Sequence, residues 1–95
     1  MQIDRIVCPA RIEEKLASKH RVSVEEACQI LENHHRLRFA EKGDVPGDDV
    51  YAAFGQTLGG RYLVVFFIYK PTNKTAIIIS ARDMNERERK SYGRK

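Results

Sequence analysis

The chain has 95 residues, 42% hydrophobic and 32% charged, with a net charge of +4 and a pI of about 9.3. This length and balance predict one globular domain over residues 1–95, and exclude a disordered chain, a fibrous repeat and a helical membrane span. The mild positive charge favours phosphate polymers or an acidic partner.

Residues 3–7 alternate in part and predict a short first strand. Pro9 suits the first turn of a helix, where its missing N–H is no loss. Ile12, Leu16 and His20 fall at i, i+4 and i+8, which predicts an amphipathic helix over about 9–19. Ser23 stands three residues before Glu26, a capping box that starts a second helix. Val24, Ala27, Cys28 and Leu31 mark its buried face. It should end near Asn33, with His34 and His35 at its negative end. Residues 36–40 read as a strand and 41–49 as a loop rich in glycine and charge.

Residues 50–57 predict another strand, turned by Leu58-Gly59-Gly60 into the run 61–69. That run, Arg61-Tyr62-Leu63-Val64-Val65-Phe66-Phe67-Ile68-Tyr69, is nearly all apolar and should be the central strand, covered on both faces. Tyr62, Phe66 and Phe67 are read as core rather than as a base-stacking row. After the turn-rich 70–74, residues 75–81 should pair back antiparallel. Arg61 opens this hairpin and Arg82 closes it, so both should lie at one end of the sheet. Asn85 then caps a last helix, with Glu88 three residues on and Tyr92 on the face of Glu88. The helix should fray in Gly93-Arg94-Lys95. The segment from Arg82 to Lys95 is locally basic. The expected class is α+β: an antiparallel sheet of four to five strands, two N-terminal helices and one C-terminal helix on one face.

Cys8 and Cys28 have no framework spacing, and the N-terminus is charged at Asp4 and Arg5. Together these predict a reduced cytoplasmic protein without a signal peptide. The same cysteines with His20, His34 and His35 lack C-x-x-C and H-x-x-x-H spacing, so neither a metal site nor a cofactor is expected.

Four segments in order resemble the BrnT-type toxins: Lys19-His20-Arg21-Val22-Ser23-Val24-Glu25-Glu26-Ala27, Gly60-Arg61-Tyr62-Leu63-Val64-Val65, Ile79-Ser80-Ala81-Arg82, and Glu86-Arg87-Glu88-Arg89-Lys90-Ser91-Tyr92. The resemblance spans residues 3–92. It departs from the family at Arg21, where the family carries glycine, and at Asp83, where a second arginine is common. It departs again at Cys8-Pro9, in place of tryptophan-aspartate. It implies a RelE-like ribonuclease fold and the toxin half of a type II toxin–antitoxin pair. The implied partners are RNA and a cognate antitoxin with a ribbon-helix-helix-like DNA-binding portion. DNA would be reached only through that antitoxin, and no membrane is involved.

RNA carries its own nucleophile, the 2′-hydroxyl, so cleavage needs no metal. A protein must move protons and stabilise a crowded phosphorane. Arginine suits the second task, being always charged and bidentate toward phosphate. With the resemblance, Arg61 and Arg82 are expected as phosphate ligands, against the alternative of strand-end arginines in water. Proton transfer falls to His20, Glu88 or Tyr92. Each has a structural alternative: a helix-capping or core histidine, a capping carboxylate and a packed ring. Lys19, Arg87 and Arg89 are expected to bind RNA. Asp83 either orients Arg82 or competes with phosphate for it. The function expected is a metal-independent ribonuclease that blocks translation. The alternative is a non-catalytic module binding its partner or nucleic acid through the same end.

Overall fold

The structure, a computed structural model, describes residues 1–33, 35–45 and 47–93. His34, expected at a helix end, Pro46 of the loop, and Arg94 and Lys95 of the basic tail lie outside the described residues.

Among the described residues, five strands make one sheet: β1 (Arg5–Val7), β2 (His35–Glu41), β3 (Val50–Gln56), β4 (Tyr62–Lys70) and β5 (Thr75–Asp83), in the spatial order β1-β5-β4-β3-β2. The central strand is β4, as its unbroken apolar run requires. It pairs antiparallel with β3 and β5, and β3 pairs antiparallel with β2. The expectation of a purely antiparallel sheet needs one correction, because β1 lies parallel to β5, with Ile6 opposite Ala76. Hairpins force antiparallel pairing only between strands joined by a tight turn. The connection leaving β1 is a pair of helices, and it leaves the direction of β1 open.

Register sorts the sheet into two faces. Leu63 stands beside Gly55, Val65 beside Ala53 and Ala81, and Phe67 beside Tyr51 and Ile78. This face is the core. Leu63, Val65, Phe67 and Ile78 are fully buried there with Leu16, Val22, Ala27 and Ile30. Each such side chain contributes about 1.5–3 kcal/mol by leaving water. Gly55 permits the close approach, since a Cβ there would meet Ile30 at 3.3 Å.

The covering helices are α1 (Ala10–Lys15), extended by a π-helical stretch Leu16–His20, and α2 (Val24–Glu32). The capping box at the start of α2 is present: Glu26 N–H donates to Ser23 Oγ at 3.1 Å and Ser23 N–H donates to Glu26 Oε1 at 3.0 Å. Arg21 closes the π stretch in the left-handed conformation, φ 53°. That geometry favours glycine, yet arginine occupies it here. His35 does not end α2; it opens β2, with Nδ1 2.9 Å from the Asn33 carbonyl oxygen.

The third helix, α3 (Glu86–Gly93), is placed differently from the expectation that all helices share one face. It touches Tyr62, Arg36 and Arg82, which by register belong to the face opposite α1 and α2. Short α3 covers only part of that face. Phe67 is core as expected, whereas Tyr62 and Phe66 turn to the α3 side and are half-buried.

Candidate active site

The two strand-end arginines lie at one end of the sheet but on opposite faces. Val64 pairs with Arg82 and Leu63 with Asp83, so Arg82 shares the α3 face and Asp83 the core face. Arg61, two residues before Leu63, projects with Leu63 toward α1 and α2.

The surroundings of Arg61 are closed. Its Nε and Nη2 donate to the two Asp83 carboxylate oxygens at 2.8 and 3.0 Å. Nη1 donates to Glu26 Oε1 at 3.1 Å and to the Arg21 carbonyl at 2.6 Å, and Nη2 donates to the His20 carbonyl at 3.0 Å. The guanidinium thus binds the π stretch, the start of α2 and the end of β5 to one another. Hydrogen bonding by Arg61 holds the Asp83 carboxyl below the usual carboxylate range. Glu26 is lowered as well, first by the Ser23 backbone N–H and then by Arg61. The His20 carbonyl lies here, and an electrostatic influence of His20 is the last of the causes that lower Asp83. Lys19 is exposed on the π stretch. Asp83 therefore neither orients Arg82 with its carboxylate nor competes for it; its side chain belongs to Arg61.

The α3 face is open and basic. Arg82 donates from Nη1 and Nη2 to the two Glu88 oxygens at 2.7 and 3.0 Å, a bidentate pair. Glu88 Oε1 also accepts the Asn85 N–H at 2.9 Å, and Glu88 N–H donates to Asn85 Oδ1 at 2.8 Å, so the second capping box is also present. One carboxylate fixes both the helix start and the arginine. Hydrogen bonding by Arg82 is the largest cause that holds the Glu88 carboxyl below its ordinary range.

Four arginines on this face lie over aromatic rings. Arg82 is 5.5 Å from the Phe66 centroid, Arg89 4.6 Å from Tyr62, Arg36 5.9 Å from Tyr92 and Arg38 5.9 Å from Phe54. Tyr92 meets Tyr62 edge to face at 6.0 Å. Between β2 and α3 lies a cleft of about 180 Å³ lined by Arg36, Leu37, Arg38, Phe54, Glu88, Ser91 and Tyr92. Guanidinium groups for phosphate, rings for bases and a fixed carboxylate beside them are the parts a single-stranded RNA site uses. Among the described residues no three His, Cys, Asp or Glu side chains cluster so as to hold a metal ion.

The fold therefore brings Arg82, Glu88, Tyr92 and Arg89 together, and sets Arg61, His20 and Lys19 on the core side of the same sheet end. Arg87 is exposed on α3. Arg36, Arg38 and Phe54 were missed by sequence reasoning. The signal for the first two was the alternation His35-Arg36-Leu37-Arg38-Phe39, which puts both arginines on one face of a strand. Which face of the sheet that is could not be read, because it depends on the long-range pairing of Arg36 with Phe54 and of Arg38 with Ala52.

A family model described as "Ribonuclease toxin, BrnT, of type II toxin-antitoxin system" matches residues 11–88. No curated protein matches the chain.

Proposed function

This chain belongs to the BrnT family of type II toxin–antitoxin ribonuclease toxins, and from that premise we propose that it is a metal-independent endoribonuclease whose site is the α3 face. The observation that carries this reading is the Arg82–Glu88 pair at the edge of the arginine-lined cleft. Arg82 takes the scissile phosphate, presenting its fork to two oxygens. Engaging phosphate loosens its hold on Glu88, which the Asn85 cap keeps in place. Freed of its partner, the carboxylate becomes a stronger base. It takes the proton of the 2′-hydroxyl as that oxygen attacks phosphorus.

The bond from 2′-oxygen to phosphorus forms and the bond from phosphorus to the 5′-oxygen breaks. The leaving oxygen is protonated by the Tyr92 hydroxyl, and the proton taken up by Glu88 then passes through water to the tyrosinate, which restores both groups. The products are a 2′,3′-cyclic phosphate and a 5′-hydroxyl end. Arg36, Arg38, Arg87 and Arg89 hold flanking phosphates, with rings of Phe54 and Tyr62 beside them for bases. Arg61 acts from the other side of the sheet by fixing the strand end that carries Arg82. His20 and Lys19 flank the same end and bind the departing strand. Cleavage of messenger RNA in the cytoplasm blocks translation. The paired antitoxin keeps the toxin silent and carries the ribbon-helix-helix-like DNA-binding portion.

Purified protein and RNA incubated with EDTA test the reading. Cleavage should persist and give cyclic phosphate ends. Cleavage that stops with EDTA and returns with magnesium would overturn it, and RNA bound but left intact would support the non-catalytic alternative.

A further inference from the structure

We propose that the outer edge of β2 is the docking site of the antitoxin, which adds an extended segment there as a further strand. This rests on the family reading that such a partner exists. The two edges of the sheet are managed differently. The edge strand β1 is three residues long, too short to template another chain. The edge strand β2 has seven residues, and from Arg36 onward all are exposed. Among the described residues its only strand partner is β3. Leu37 is 40% and Phe39 55% exposed on one face, and Val45 just beyond is 58% exposed. Phe39 touches Tyr51 edge to face at 5.9 Å, which covers one side of its ring.

Alternation specifies the occupant. A strand laid along β2 meets Leu37 and Phe39 on one face and Arg36 and Arg38 on the other. Its complement alternates apolar and acidic residues. The acidic side chains would reach the cleft that Arg36 and Arg38 line. The same contact that holds the partner would then deny the cleft to RNA by charge and by volume.

The toxin should be co-expressed with the product of the neighbouring reading frame and the complex purified. Amide hydrogen exchange of the wild-type toxin, alone and in the complex, should show protection appearing along β2. Phe39→Glu and Leu37→Lys should weaken the complex about 100-fold, since each removes an apolar anchor and Phe39→Glu adds a like charge. Both should keep the melting transition cooperative. A complex that forms with no new protection in β2, or that both folded variants leave intact, overturns the docking site while the toxin–antitoxin reading stands. No complex at all overturns both. Self-association of the toxin lost in Phe39→Glu, with partner binding unchanged, assigns the edge to a second copy and overturns the proposal.

Discussion

Arg61→Ala and Arg82→Ala should separate stability from activity. Through its guanidinium Arg61 makes five hydrogen bonds, two to Asp83, one to Glu26 and two to main-chain carbonyls, that of His20 at the end of the π stretch and that of Arg21 just after it. Its side chain is 27% exposed, that of Glu26 29% and that of Asp83 60%. The Asp83 pair is therefore discounted to the value of an exposed bridge, under about 1 kcal/mol. Glu26 and the two carbonyls, of which the Arg21 carbonyl is exposed and the others part-buried, add about 1 kcal/mol each, the typical net value of an intramolecular hydrogen bond. The sum is about 3 kcal/mol, which for a domain of this size lowers Tm by roughly 10–20 °C. Arg82 is 36% exposed, and the Asn85 cap retains Glu88 after its loss. After the same discount, Arg82→Ala should cost about 1 kcal/mol and roughly 5 °C. Circular dichroism melts and growth arrest on induction are the two assays. Arg82→Ala should be folded and harmless, and Arg82→Lys partly toxic, because an ammonium lacks the fork. Arg61→Ala melting within about 3 °C of wild type would refute the tie that Arg61 is argued to make. Full toxicity of folded Arg82→Ala would remove the proposed phosphate ligand.

Three further outcomes are expected. Glu88→Gln keeps the capping box, which accepts glutamine, but loses the base. Its RNA cleavage should fall by about 10²–10⁴ while the melting point drops only by roughly the 5 °C expected for Arg82→Ala, since the same pair is lost, and unchanged cleavage would take Glu88 out of proton transfer. Arg21→Gly relieves a left-handed residue whose carbonyl, not its side chain, meets Arg61. It should raise stability by up to about 1 kcal/mol in urea unfolding, and a loss would argue against strain at this turn. Asp83, Glu26 and Glu88 all have lowered folded-state values. Their contribution is complete above the ordinary carboxylate values near about pH 4 and is lost as pH falls through the folded values. The drop in Tm on acidification should be shallower in Arg61→Ala than in wild type, and parallel curves would disprove the linkage.

Much of the fold was legible because local rules and tertiary packing agreed. The apolar run 61–69 had to be central, since only a strand covered on both faces can hide it. Both capping boxes were visible because each is made within four residues: Ser23 with Glu26 and Asn85 with Glu88. Arg82 and Glu88 were singled out as candidates through the resemblance, and their bidentate contact spans only six residues. Contacts at long range were less accessible. The bond from Arg61 to the His20 carbonyl spans 41 residues and that from Arg36 to the Ser91 carbonyl 55.

The amino-acid order alone determined the alternation along each strand, the helix starts and the turn at Leu58-Gly59-Gly60. Periodicity and capping are local physics, fixed by residues a few positions apart. Tertiary structure decided the rest. Arg61 and Arg82 share a sheet end, but Arg82 pairs with Val64, three positions beyond Arg61, and this odd offset sends their side chains to opposite faces, because side chains in a strand repeat every two residues. It also set β1 parallel to β5 and laid α3 against the face away from α1 and α2. Those choices depend on which surfaces remain to be covered once the core has packed, and no short stretch of sequence contains that information.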